Sequence, residues 1–222
     1  LQPVLPTDTA IMVATFHGFC LHHLRHQQPG LRVIGPEQRL LLVKDFFPHW
    51  SKGEQDHLIE ALTLYSRSGL LPDDPALAVY LSRLHDQGLV DLDTLVPRLL
   101  ALLQEESEAA AAVRFATGQL FVDEFQDVNQ AQFQLVALLA QSSSVFAIGD
   151  PDQAIYGFRG ADPAWFYRFI SEFQAERHQQ IQREKARDGR GDFQIGFQQA
   201  CGDAKDEEQD GWVEQALHGT AP

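Results

Sequence analysis

The chain has 222 residues, 44% apolar and 10% aromatic, which is enough to bury a substantial core and excludes wholesale disorder. Its formal charge of −14, with only four lysines, excludes a basic electrostatic footprint over the chain as a whole. Two cysteines, Cys20 and Cys201, can build neither a disulfide framework nor a four-ligand zinc site, and they suit a reducing compartment.

The first residues, LQPVLPTDTA, carry no charged start, no apolar run and no initiating Met, so no signal peptide is read there. The longest apolar stretches fall far short of the roughly 18 residues that a membrane span needs. The expectation is a cytoplasmic protein without a membrane partner, read as a fragment. Residues 11–16, 120–122 and 145–148 are short apolar, β-branched or aromatic runs, each predicted as a buried strand. They end abruptly in His17-Gly18, Asp123-Glu124 and Gly149-Asp150. Strands of this kind, separated by helical segments, favour an α/β fold with a parallel sheet whose ligand edge lies beyond the carboxyl ends.

Between the first and second runs, residues 30–112 have a different texture. Leu40-Leu41-Leu42-Val43, then Leu58-Ile59-Ala61-Leu62-Leu64, Leu77-Val79-Tyr80-Leu81-Leu84 and residues 95–103 repeat at helical spacing. Breaks are expected at Pro29-Gly30, Pro48, Gly53, residues 69–75 and Gly88. An all-helical insertion is predicted, with residues 104–113 leading back to the sheet. From residue 174 onward Gln, Arg, Asp and Glu dominate, which favours a solvated helix and then a flexible polar tail to 222.

The chemistry gathers in two stretches. In Leu120-Phe121-Val122-Asp123-Glu124-Phe125-Gln126-Asp127, a strand ends in two carboxylates. One can hold Mg²⁺, while the other orients and deprotonates a water attacking a γ-phosphate; the plainer reading is a core strand followed by two solvated acids. The second stretch runs Val145-Phe146-Ala147-Ile148-Gly149-Asp150-Pro151-Asp152-Gln153-Ala154-Ile155-Tyr156-Gly157-Phe158-Arg159-Gly160-Ala161-Asp162. Its Gln153 can sense a terminal phosphate, Tyr156 and Phe158 can stack on unpaired bases, and Arg159 can pair with a backbone phosphate. The plainer reading makes the two aromatics core packing and the arginine a surface charge. His22 and His26, four apart on a predicted helix, read as a solvated face rather than a metal site.

Together these stretches resemble motifs II and III of the UvrD/Rep-like superfamily 1 DNA helicases. Ala14-Thr15-Phe16-His17-Gly18-Phe19-Cys20 resembles that family's motif Ib, and Asp91-Leu92-Asp93-Thr94-Leu95 its short acidic-aliphatic element before motif II. The resemblance implies a partial RecA-like P-loop NTPase parallel sheet with an all-helical inserted subdomain. Residues 1–29 and 113–173 would form the partial motor domain, and 30–112 the insertion that the family calls 1B. It also implies roles: Asp123 as the Mg²⁺ carboxylate with Glu124 beside it as the base, and Gln153 linking the γ-phosphate to the DNA. Thr15, His17, Tyr156, Phe158 and Arg159 would contact single-stranded DNA. Implied with them are ATP and Mg²⁺, a 3′–5′ polarity, and a single-stranded or tailed-duplex DNA partner beside the remainder of the helicase.

The sequence departs from the family in one respect above others: no Gly-Lys-Ser/Thr occurs anywhere in it. The family places that phosphate-gripping loop upstream of residue 1, and the second motor domain downstream. The expectation is an inactive chain when taken alone. The alternative expectation is a truncated, non-catalytic module that binds DNA or protein.

Overall fold

The structure, a computed structural model, describes residues 11–150, 162 and 164–173 in full, and the backbone alone of 176–181 and 193–199. Gln153, Tyr156, Phe158 and Arg159 lie outside the described residues. In chain order the elements are α1 (Phe16–Gln27), β1 (Arg32–Ile34), α2 (Pro36–Phe46), α3 (Lys52–Ser68), α4 (Pro75–Asp86) and β2 (Leu89–Asp91). There follow α5 (Leu95–Gln104), α6 (Glu108–Ala116), β3 (Gln119–Val122), α7 (Gln130–Leu139), β4 (Ser144–Gly149), α8 (Ala164–Phe173), β5 (Glu176–Ile181) and β6 (Phe193–Gln199).

β3 and β4 pair in parallel, Leu120 opposite Val145 and Val122 opposite Ala147, so both carboxyl ends reach one edge. Helix α7 makes the crossover that a parallel pair requires. The sheet is mixed rather than wholly parallel, because β6 runs antiparallel to β4 and β5 antiparallel to β6, in the order β3-β4-β6-β5. The polar tail therefore holds strand where composition favours helix and then disorder. Phe193, Ile195 and Phe197 alternate with other residues at the period of a strand, a signal that the surrounding Gln-rich sequence masks.

Residues 11–16 are a correction of a different kind. Residues 11–15 carry no strand, and Val13 stands 94% exposed; β-propensity alone does not make a strand where no neighbour pairs with it. The run ends instead in a helix start. Thr15 is extended, and its hydroxyl oxygen accepts from the Gly18 N–H at 3.1 Å, satisfying one of the free donors of α1.

Residues 30–112 hold α2, α3, α4 and α5, with chemistry at the helix boundaries that explains them. Ser51 caps α3 reciprocally with Glu54, so Gly53 sits inside the first turn and does not break the helix. Gly69, at φ 73°, ends α3 in the left-handed conformation, where an added Cβ would also meet Leu100 at 2.8 Å. Asp74 caps α4 through the N–H groups of Ala76 and Leu77. Residues 30–112 are not all-helical as expected, because β1 and β2 form a small parallel pair, Val33 opposite Val90. At three residues each, these strands are too short to leave a periodic signal.

Three apolar clusters hold the molecule together. One joins α3 and α4 through Leu58, Leu62, Leu77 and Tyr80. Another packs Val122, Phe125, Val145, Phe166 and Phe169 around the β3–β4 sheet. The third joins Cys20 and Leu24 of α1 to Leu95, Leu99 and Leu103 of α5 and Leu135 and Leu139 of α7. Phe16 packs against the second and third together.

Beneath β2 lies a buried charge. Asp91, wholly buried, accepts from Arg39 Nε at 2.7 Å and Nη2 at 2.6 Å, and from the Tyr80 hydroxyl at 2.8 Å. Burial works against the Arg39 charge, but hydrogen bonding and attraction from Asp91, with Asp93 beside it, outweigh this and raise its pKa further. The Tyr80 hydroxyl is raised too, first by burial and then by the Asp91 carboxylate. Asp91 is thus a core residue, although its acidic-aliphatic setting resembles a motif.

On α1, His23 is buried among Phe19, His22 and the helix. Burial, and then the neighbouring His22 and His26, lower its pKa from 6.5 to about 4. The folded protein therefore resists a proton that the unfolded chain accepts readily. Stability from this ring is complete above about pH 6.5 and falls as pH drops through 6.5 towards 4, by up to about 3 kcal/mol. The urea midpoint of the wild type, measured across that range, should fall relative to that of His23→Leu as the pH drops. A constant offset between the two would refute the assignment.

Candidate functional site

Asp123 and Glu124 lie immediately past the carboxyl end of β3, both exposed, and Asp150 lies immediately past β4 on the same edge. The chain turns sharply here. Glu124 has φ 52° and ψ 43°, the single positive φ outside glycine among the described residues. A non-glycine residue costs about 1–2 kcal/mol in that conformation, and such strain gathers at functional sites. The turn is fixed locally: the Glu124 N–H donates to the Asp123 carboxylate at 2.9 Å, and the Asp127 N–H to the Glu124 carbonyl at 2.9 Å.

Phe125 and Gln126 then point inward, both buried. Phe125 packs against the rings of Phe166 and Phe169 on α8. Gln126 is tied at both ends of its amide. Its Nε2 donates to the Glu124 carboxylate at 2.5 Å, and its Oε1 accepts from the Asp150 N–H at 2.9 Å. Sequence reasoning places Gln126 only as a neighbour of the acidic pair; contact across the strand ends is what a linear reading cannot supply.

Gly149 belongs to the same arrangement. A Cβ built on it would lie 2.4 Å from Gln126 Oε1, 3.0 Å from Phe166 and 3.1 Å from the Phe125 nitrogen. Gly149→Ala should therefore lower stability by about 1–3 kcal/mol, the cost of overpacking a filled core. Chemical denaturation reads this directly, and an unchanged midpoint would mean that the strand ends have slack.

The donors suit the ion expected of them. Mg²⁺ prefers hard oxygen ligands and is held by one or two carboxylates together with substrate phosphates rather than by a full protein cage. Asp123 and Glu124 offer that donor set. Among the described residues no three His, Cys, Asp or Glu side chains come together as a metal cage.

The motif Ib residues lie at the start of α1. Thr15 is exposed with its hydroxyl oxygen engaged as the cap, and His17 is half-buried. Burial lowers the His17 pKa, with the Asp93 carboxylate opposing it. Farther along α1, the Nε2 atoms of His22 and His26 approach to 3.3 Å beside a shallow cleft of about 390 Å³ lined with Met12, Leu21 and Arg25. Among the described residues no helix is long and apolar enough to cross a membrane.

Comparison with known proteins finds a family match and several relatives. The family model described as "UvrD/REP helicase N-terminal domain" matches residues 55–174, more than half of the chain. The chain is 40% identical over 101 residues to a "Probable DNA helicase" of Mycoplasma pneumoniae, covering 45% of this chain and 19% of that protein. It is 39% identical over 85 residues to "ATP-dependent DNA helicase srs2" of Schizosaccharomyces pombe, 38% of this chain and 9% of that one. With "DNA helicase II" of Haemophilus influenzae it shares 27% identity over 188 residues, 74% of this chain and 26% of the relative. The chain thus spans about a quarter or less of the length of these relatives.

Proposed function

The chain belongs to the UvrD/REP helicase N-terminal domain family, and on that premise we propose that it is part of an ATP-dependent DNA helicase. ATP hydrolysis would drive 3′–5′ translocation along single-stranded DNA and unwinding of duplex from a single-stranded tail. The observation that carries the reading is the strained, exposed Asp123-Glu124 pair, fixed at the sheet edge where an α/β fold binds ligands.

In the proposed reaction a water oxygen attacks the γ-phosphorus of ATP, the bond from that phosphorus to the ADP oxygen breaks, and the water proton passes to the Glu124 carboxylate. Asp123, with Glu124 beside it, would hold Mg²⁺. When bound, Mg²⁺ supplies neutralisation of the phosphate charge that develops during transfer. Gln153 would join the γ-phosphate to the DNA-contacting loop. Tyr156 and Phe158 would stack on bases, with Arg159, Thr15 and His17 at the backbone. The 222-residue chain by itself is proposed to be inactive, since it contains no Gly-Lys-Ser/Thr sequence to cradle the phosphates.

The test is ATP hydrolysis by the complete polypeptide that carries these residues, with and without single-stranded DNA, beside a fluorescence-anisotropy titration with labelled strand. Hydrolysis stimulated by DNA supports the reading. A complete polypeptide that neither hydrolyses ATP nor binds the strand would overturn it.

A further inference from the structure

We infer that Gln126 is a positioning residue for this hydrolysis: one end of its amide holds the Glu124 carboxylate, and the other ties it to the Asp150 backbone just past β4. The inference rests on the proposed role of Glu124 as the base.

The amide can sit only one way round. A backbone N–H donates and cannot accept, so Oε1 must face Asp150; the NH₂ group is then left to the Glu124 carboxylate, which only accepts. Gln126 is 2% exposed, so water cannot readily replace either bond. Gly149 approaches the amide so closely that a Cβ added there would lie 2.4 Å from Oε1, which leaves that end little room to swing. The carboxylate at its far end belongs to an exposed residue in a left-handed turn, where an untethered glutamate would sample many rotamers.

Two consequences follow for the chemistry. The proton-accepting oxygen is held in one place before substrate arrives, which is what preorganised catalysis requires. In addition, the base and the Asp150 N–H share one amide, so the carboxyl ends of β3 and β4 are joined at the base itself. Gln126 is the one side chain that bonds to both strand ends among the hydrogen bonds described.

The experiment compares the wild type, Gln126→Leu and Gln126→Glu in the complete polypeptide, by DNA-stimulated ATP hydrolysis. Leucine keeps much of the volume and removes both bonds. The glutamate variant keeps an acceptor for the Asp150 N–H and turns a second carboxylate against Glu124. Both should lower kcat about 10- to 100-fold, as removal of an outer partner of a site residue does. The KM for ATP should change less than about threefold, because ground-state binding is untouched. The split between kcat and KM is the signature of positioning, because a general loss of structure would move both.

Both variants within about twofold of wild type would overturn the inference, as would a KM for ATP that rises as much as kcat falls. That second result would mark a purely structural role. If leucine at this position prevents folding, the glutamate variant and its split between kcat and KM still decide. A wild type that hydrolyses no ATP defeats the proposed function itself, and the inference with it.

Discussion

Glu124→Gln in the complete polypeptide is expected to abolish DNA-stimulated ATP hydrolysis by about 10² to 10⁴, the range that a positioned general base contributes. The substitution is nearly isosteric and keeps an oxygen to accept from Gln126 Nε2, so the turn and the tie to Asp150 should persist. What goes is the ability to take a proton. Binding of single-stranded DNA, read by anisotropy, should stay within about twofold, because the residues proposed to contact DNA are elsewhere. Thermal melting should be nearly unchanged. Hydrolysis surviving within twofold would remove Glu124 from the chemistry, and loss of folding would move the interpretation to the strained turn.

The largest expected effect on stability lies away from that edge. Asp91→Ala should lower the free energy of unfolding by about 3–5 kcal/mol, since it leaves the buried Arg39 guanidinium without its bidentate partner and the Tyr80 hydroxyl without its acceptor. Asp93, half-exposed beside the pair, can hold only part of that charge. Replacing Arg39 and Asp91 together by leucine should restore much of the loss, because an apolar pair needs no compensation. Chemical denaturation of the three proteins measures both quantities. A double variant as unstable as Asp91→Ala would mean that packing, and not the uncompensated charge, sets the cost.

The parts of this molecule that sequence makes legible are those whose cause is local. An apolar run stopped by Asp123-Glu124 or by Gly149-Asp150 needs nothing remote to be read as a strand end, and β3 and β4 stand there. Helices α3 and α4 are announced by their spacing and by Ser51 and Asp74 at their starts. Residues 11–16 have the same local character and no strand, because pairing depends on a neighbour that local character does not contain. Arg39 and Asp91 are 52 positions apart, so neither advertises the other. The acidic pair of the candidate site is visible as residue types, yet its tether through Gln126 exists only once two strand ends are side by side.

The packing of α5 against both α1 and α7 bears on how rigidly residues 30–112 are held to the β3–β4 sheet. Leu95, Leu99 and Leu103 lie in one apolar mass with Cys20 and Leu24 of α1 and with Leu135 and Leu139 of α7. A hinge at α5 would have to tear that mass open, exposing side chains that each gain roughly 1.5–3 kcal/mol from burial. Helix α5 is therefore braced rather than jointed, against α7, the helix that joins β3 to β4 beneath the acidic edge.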